Sequence, residues 1–129
     1  MARAKMFVSF DYDHDSTLKM LLVGQSKHAD TPFDIWDSSV KEHIDGDWIA
    51  RVRRKISGVD IVCVLCGEYT HTAKGVGIEL QQAKEVGTPY FLLAGYSNKT
   101  CRKPTTASDS DKLYNWTWDN LKNLIHGSR

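Results

Sequence analysis

The chain has 129 residues, a formal net charge of +1 at pH 7, 41% hydrophobic residues and 26% charged residues. This size and balance are typical of a single globular domain, residues 1–129, that needs neither a disulfide nor a metal to fold. The near-neutral charge does not suggest a broad basic surface for nucleic acid, and no apolar run approaches the roughly 18 residues of a membrane span. Three cysteines and an N-terminus without a signal-peptide pattern predict a cytoplasmic protein with no nucleic-acid or membrane partner.

Short apolar runs alternate with helical stripes along the chain. In chain order, the predicted elements are a strand at 5–10, a helix at 15–26, a strand at 33–37, a helix at 46–57, a strand at 60–65, a helix at 74–86, a strand at 89–94, a short fifth strand at 113–116 and a helix at 118–126. The predicted helix caps are Gly58 and Gly87 at C-termini and Thr117 at an N-terminus.

The apolar runs differ in a way that indicates their place in a sheet. The runs 5–10, 60–65 and 89–94 are continuous, which is typical of parallel strands covered by helices on both faces. The run 33–37 is shorter and more polar, as an edge strand would be. The alternation therefore predicts an α/β fold with a right-handed, doubly wound parallel sheet of four to five strands flanked by helices.

Three aspartates at alternate positions, Asp11, Asp13 and Asp15, follow the first strand. They lie outside the carboxyl end of a strand, which is where open parallel sheets bind ligands. An EF-hand calcium loop starting at Asp11 is excluded, because Ser16 stands where it needs glycine, Leu22 stands where it needs glutamate, and a strand precedes it. A receiver domain is disfavoured because no aspartate ends the third strand, and an FMN cradle because three carboxylates repel phosphate. The remaining interpretation is structural: Asp13 or Asp15 caps the next helix, and Asp11 is placed to meet a ligand hydroxyl.

Glu79 is a carboxylate on the apolar stripe of the predicted helix 74–86, in register with Val76, Ala83 and Val86. It lies near the helix start, at the ligand-binding edge of the sheet. Burial there raises the pKa of a carboxyl group, whereas the helix N-terminus and ligand hydroxyls favour its charged form. Position alone leaves two interpretations open: a first-turn glutamate that serves the helix dipole, or a functional carboxylate.

The pair in "CVLC" (63–66) matches the C-x-x-C spacing of redox and zinc sites. Residues three apart in a strand point to opposite faces of the sheet. The sequence therefore predicts neither a metal site nor a redox site here.

Two segments together resemble the TIR (Toll/interleukin-1 receptor) domain in its small bacterial form. "MFVSFDYDHD" is similar to the first TIR box, an apolar strand reading F-x-S-[YF] followed by aspartate. "GVGIELQQAKEVGTPYFLLAG" is similar to the third helix and fourth strand, where the family carries Trp-x-x-x-Glu-[LI]. The intervening "DIVCVLCGEYTHTAKGV" resembles TIR-like proteins of bacterial anti-phage defence, notably the Thoeris system. The resemblance covers most of residues 5–94.

This resemblance implies a flavodoxin-like sheet and, in catalytic members, cleavage of the nicotinamide–ribose bond of NAD. The catalytic glutamate of the family maps onto Glu79, and Gly75 stands where the family has its tryptophan. NAD is then the substrate, and neither a cofactor nor a metal is expected. A product of the cyclic ADP-ribose type, a downstream nucleotide-sensing effector, a phage-derived trigger and self-association complete what the resemblance implies.

For such a substrate, the candidate contacts are residues at or just past the strand ends. They are Phe10, Asp11, Tyr12, Trp36, Asp37, Tyr69, Thr70 and His71. Rings there can stack on nicotinamide or adenine, and aspartates can bind ribose hydroxyls. Thr70 and His71 can touch phosphate or orient Glu79. The sequence leaves open hydrolysis or cyclisation, a non-catalytic adaptor that self-associates, and a nucleoside ribosyl- or deoxyribosyltransferase.

Overall fold

The computed structural model describes residues 3–39 and 43–127. The strands are β1 (Ala4–Ser9), β2 (Phe33–Ser38), β3 (Ile61–Cys66), β4 (Tyr90–Ala94) and β5 (Leu113–Asn115). The helices are α1 (Ser16–Ser26), α2 (Gly46–Ser57), α3 (Lys74–Val86) and α4 (Trp118–Ile125), with a 3₁₀ turn at Thr70–Thr72. Each of these strands and α-helices lies within one residue of its predicted ends, whereas the 3₁₀ turn was not predicted.

The five strands form one parallel sheet in the order β2-β1-β3-β4-β5. This is the strand order of the flavodoxin-like, doubly wound fold. The predicted α/β architecture is therefore confirmed, including the edge position of β2. All carboxyl ends of the strands meet at one edge, which is where the candidate site lies.

The two faces of the sheet are covered by different helix pairs. Met6 and Val8 of β1 pack with α1 and α4, whereas Phe7 packs with α2 and α3. The helix side chains on the first face are Leu18, Leu22, Leu121 and Leu124, and those on the second are Trp48, Val52, Ile56, Val76, Leu80 and Ala83. Every residue of β3 is buried, which explains its uninterrupted apolar run. Each fully buried aliphatic side chain contributes roughly 2 kcal/mol of transfer free energy.

Cys63 and Cys66 lie on opposite faces of β3, as predicted. Cys63 packs with α1 and α4, and Cys66 packs with α2 and α3. Burial raises the pKa of both thiols above the ordinary value, which keeps them as inert core side chains. Within residues 3–39 and 43–127, no cluster of histidine, cysteine and acidic side chains is arranged to hold a metal ion. No helix in the same ranges is long and apolar enough to cross a bilayer.

The helix ends agree with the predicted caps at three of four positions. The Thr117 side chain accepts a hydrogen bond from the Asn120 amide at 3.1 Å. Gly58 and Gly87 end α2 and α3, and Gly87 has the left-handed φ of 80° that favours glycine.

The prediction that Asp13 or Asp15 caps α1 is correct for the position of Asp15 and wrong for its side-chain bond. Asp15 occupies the N-cap position, but its carboxylate makes no capping hydrogen bond. The carboxylate is instead buried against Gly67 at the end of β3, and Oδ1 accepts a bond from the Tyr96 hydroxyl at 3.4 Å. The approach is so close that a Cβ at Gly67 would lie 2.5 Å from Oδ1. The Asp15 side chain therefore packs against the end of β3 instead of capping the helix that it precedes.

Candidate active site

A cleft of about 250 Å³ opens between the end of β1 and the start of α3. Its walls come from residues 10–14, Ser39, Ile44, Trp48 and residues 72–76, with Glu79 among them. Because β1 lies between β2 and β3 in the sheet, the strand order reverses here, as it does at ligand sites of doubly wound sheets. A larger hollow of about 620 Å³ lies at the ends of β4 and β5, but none of its described lining residues is a carboxylate. The smaller cleft is therefore the better candidate for chemistry.

Glu79 is 2% exposed and lies in the second turn of α3. Its Oε1 accepts hydrogen bonds from Ser9 Oγ at 2.7 Å and from Ser39 Oγ at 2.5 Å. Ser9 is the last residue of β1 and Ser39 directly follows β2, so two neighbouring strand ends converge on one carboxylate oxygen. Ser39 Oγ is itself held by the Phe10 amide, which donates to it at 3.1 Å.

Burial raises the pKa of Glu79 to about 7, because the charged form loses its hydration. The hydrogen bonds from Ser39 and Ser9 act in the opposite direction, since they stabilise the carboxylate. Lys55 lowers and Asp37 raises the same pKa more weakly, and these two side chains pair with each other at 3.6 Å. A buried, hydrogen-bonded carboxylate in the second turn does not match the interpretation of a first-turn glutamate serving only the helix dipole.

The wall opposite the β1 loop contains Trp48 of α2, which is 3% exposed. A Cβ built on Gly75 would lie 3.8 Å from the Trp48 indole. The indole from α2 therefore packs over the position where the TIR resemblance places a tryptophan on α3. Asp45 Oδ1 accepts the Trp48 amide at 2.8 Å, which caps α2 and anchors its first turn.

The rim of the cleft holds Asp11 and His14. Asp11 Oδ2 lies 2.6 Å from His14 Nδ1, and Asp11 Oδ1 accepts the Asp13 amide at 3.1 Å. The His14 ring packs against the Tyr69 ring, with 4.6 Å between the centroids. Asp11 is thus a buried member of the cleft, and its histidine partner was not predicted.

Of the predicted contacts, Phe10, Asp11 and Tyr12 border the cleft together with Glu79. Phe10 is buried, and its ring lies 6.0 Å from the half-exposed ring of Tyr12. These three residues directly follow β1, so their position at the end of the strand is sufficient to bring them to the cleft.

The structure places the other predicted residues outside the walls of the cleft. Trp36 is 61% exposed on the edge strand, where Lys5 Nζ lies 4.6 Å from its ring. Thr70 is buried and its hydroxyl accepts the Gly67 amide at 2.7 Å, while exposed His71 borders a different groove. The Tyr69 ring packs against His14 at the rim of the cleft, and the charge of Asp37 raises the pKa of Glu79.

Sequence reasoning missed Ser9 and Ser39, which bind Glu79, and His14 and Trp48, which line the cleft. Ser9 lies in the first apolar strand, and His14 lies among the aspartates that follow it. Their positions at a strand end could have indicated that they belong to the site. Ser39 and Trp48 had no such signal, because their proximity to Glu79 depends on the neighbouring positions of β1 and β2 and on the docking of α2.

A comparison with protein-family models matches residues 7–100 to the family described as Thoeris protein ThsB, TIR-like domain. The matched range runs from β1 to just beyond β4 and contains every described residue that borders the cleft. A comparison with curated proteins found no match.

Proposed function

Since the chain belongs to the family of the TIR-like domain of Thoeris protein ThsB, we propose that it cleaves the nicotinamide–ribose bond of NAD in anti-phage defence. The observation that carries this proposal is Glu79, a buried carboxylate in a cleft at the strand-order switch point. Burying an ionisable group away from a partner charge costs stability, and proteins retain such groups mainly at functional sites.

The proposed reaction needs one well-placed carboxylate. When the C1′–N bond of NAD breaks, the bonding electron pair leaves with nicotinamide and neutralises its pyridinium charge. The ribose is left with oxocarbenium-like positive charge, as in glycoside hydrolysis. A carboxylate beside the ribose stabilises that charge. No strong general acid is required, because nicotinamide leaves as a neutral molecule.

Ser9 and Ser39 prepare Glu79 for this role. Both hydroxyls donate to Oε1, which fixes the plane of the carboxylate and leaves Oε2 as the oxygen for the ribose. Their bonds also keep a fraction of the carboxylate charged near pH 7 despite its burial. Because the Glu79 carboxylate is already fixed in place and partly desolvated, it needs little reorganisation when positive charge develops on the ribose.

The size of the cleft supports binding of one half of the dinucleotide. Ligand pockets for drug-sized molecules usually measure about 300–1,000 Å³, and this cleft measures about 250 Å³. We place the nicotinamide ring and its ribose inside, beside Phe10 and Trp48, with the adenosine half along the carboxyl edge. NAD is the substrate in this proposal, with no separate cofactor.

The wider role in the proposal comes from the family. The product is of the cyclic ADP-ribose type and acts on a nucleotide-sensing effector, and a phage-derived trigger and self-association control activity. The proposed location is the cytoplasm, where free thiols such as those of Cys63, Cys66 and Cys101 persist.

The test is a mass-resolved assay of NAD turnover at high protein concentration, with Glu79→Gln beside the parent. We expect nicotinamide release by the parent and a loss of about 10²–10³-fold in Glu79→Gln, the usual cost of removing a transition-state electrostatic contact. Glu85→Gln is the matched control, since Glu85 lies on the same helix with an exposed side chain that pairs with Arg53 at 3.8 Å.

Equal release by the parent and Glu79→Gln would mean that Glu79 is the wrong residue. No release by concentrated parent, with or without phage components, would favour the self-associating adaptor. Turnover of nucleosides without turnover of NAD would favour the ribosyltransferase.

A further inference from the structure

The β1–α1 loop carries a second polar pair beside the Glu79 cleft, Asp11 with His14. The Asp11 side chain is 8% exposed, and its Oδ2 lies 2.6 Å from Nδ1 of His14. Its other oxygen accepts the Asp13 amide at 3.1 Å, so the loop backbone fixes the carboxylate. An ionised carboxylate only accepts hydrogen bonds, so in the neutral imidazole the proton lies on Nδ1 and the Nε2 lone pair is available.

The imidazole is held in place from the other side by Tyr69. The two ring centroids lie 4.6 Å apart with an interplanar angle of 32°. The His14 side chain is 46% exposed, and it borders the same cleft as Glu79. A ring fixed by a buried carboxylate and an aromatic neighbour, with solvent access, has the construction of a general base.

We propose that His14, oriented by Asp11, is the general base that activates an oxygen acceptor in the second half of the reaction. This inference rests on the proposed NAD cleavage and divides the work between two groups. Glu79 stabilises the ribosyl cation, and His14 removes the acceptor proton.

The proposed step transfers one proton from the acceptor to His14. Nicotinamide has already left with the electrons of the C1′–N bond. The acceptor, water or a ribose hydroxyl of the same substrate, forms the C1′–O bond with an oxygen lone pair. Its O–H bond breaks, and the proton passes to Nε2 of His14. The imidazolium is stabilised by Asp11 and returns the proton to solvent from its exposed side.

Comparing two kinds of acceptor distinguishes a general-base role of His14 from a purely structural role. A hydroxyl acceptor must lose a proton, whereas free nicotinamide attacks C1′ through its ring nitrogen and loses none. Incorporation of labelled nicotinamide into NAD therefore reports cleavage and binding without the base. Net conversion of NAD to oxygen-linked products reports the base as well.

In His14→Asn, we expect nicotinamide exchange within a few-fold of the parent and net formation of oxygen-linked products lowered by about 10²-fold or more. Asp11→Asn should shift the same ratio in the same direction, because the imidazole loses the carboxylate that sets its tautomer. His28→Asn is the matched control, since His28 is an exposed histidine whose ring lies 5.5 Å from the ring of Trp118, in the α1–β2 connection and not among the described residues that line the cleft.

Exchange and net turnover falling together in His14→Asn would overturn the inference and assign His14 to holding the loop. An unchanged ratio would also overturn it, as would a parent that forms only nitrogen-linked products. A parent with neither exchange nor net turnover would contradict the proposed NAD cleavage itself. The parent exchange rate therefore distinguishes failure of the enzyme proposal from failure of the base.

Discussion

Two serine hydroxyls share one oxygen of Glu79, and these short bonds oppose the effect of burial on that carboxylate. Removing either hydroxyl removes a bond that favours the charged form, so the pKa of Glu79 rises above about 7. A hydrogen bond to a charged group contributes about 1.5–3 kcal/mol, which corresponds to roughly one to two pKa units. The two serines therefore determine the pH above which Glu79 carries the negative charge that the proposed reaction needs.

For Ser39→Ala, we expect the acid limb of the pH–rate profile of labelled-nicotinamide exchange to move upward by about one pH unit. Activity falls as pH decreases through the pKa of Glu79, and that pKa is higher in the variant. The measurement is the rate from pH 5.5 to 9. Ser57→Ala is the control, because the exposed Ser57 hydroxyl donates to the Arg53 carbonyl on α2. A downward shift, or a uniform loss at all pH values, would contradict this account of the serines.

At the scale of the elements, α2 and α4 are capped in the same way but pack in different parts of the molecule. Both are capped by side chains, since Asp45 accepts the Trp48 amide and Thr117 accepts the Asn120 amide. α2 carries the indole that lines the cleft, whereas α4 packs on the opposite face of the sheet. The same kind of capping bond therefore anchors a helix that lines the cleft in one case and a helix that packs on the other face of the sheet in the other.

We expect Asp45→Ala and Thr117→Ala to lower the free energy of unfolding by a similar amount, about 1 kcal/mol each. Only Asp45→Ala should raise the KM for NAD, because fraying of the first turn of α2 loosens Trp48. Urea denaturation gives the two stabilities, and nicotinamide release gives KM. A raised KM in Thr117→Ala, or an unchanged KM in Asp45→Ala despite the stability loss, would show that the cap does not position Trp48.

At the scale of the whole molecule, Glu79 links stability to pH. Its pKa in the folded chain is about 7, above the ordinary value of 4.5, so the folded state binds the proton more tightly than the unfolded state. This contribution to stability is fully present below the unfolded pKa and is lost as pH rises through about 7. The full shift corresponds to roughly 3 kcal/mol. The pKa of Asp15 is also raised by burial and by Asp11, which adds a contribution of the same sign.

Glu79→Gln should therefore gain stability relative to the parent as pH rises from 5 to 8, by about 2–3 kcal/mol. Taking the difference between the two proteins at each pH cancels the contribution of Asp15, which they share. Chemical denaturation at both pH values is the measurement, with Glu85→Gln as a surface control. A constant difference between Glu79→Gln and the parent would mean that Glu79 titrates alike in the folded and unfolded chains.

The amino-acid sequence by itself determined the elements, because the signals for them are local. Continuous apolar runs, helical stripes and the caps at Gly58, Gly87 and Thr117 each depend on residues close in the chain, and the elements lie within one residue of prediction. The alternation of strand and helix then restricted the fold to a doubly wound sheet. Phe10, Asp11 and Tyr12 could be assigned to the ligand edge because a strand end points directly to it.

Tertiary structure alone decided how the site is assembled. Ser9 and Ser39 meet at one oxygen because β2 pairs with β1. Trp48 covers Gly75 because α2 packs beside α3 on one face of the sheet. In β2, a register shift between its pairings at Ile35 and Asp37 leaves Trp36 exposed on the edge strand. These contacts join residues distant in the chain, and their formation depends on strand order and helix docking, which no local pattern encodes.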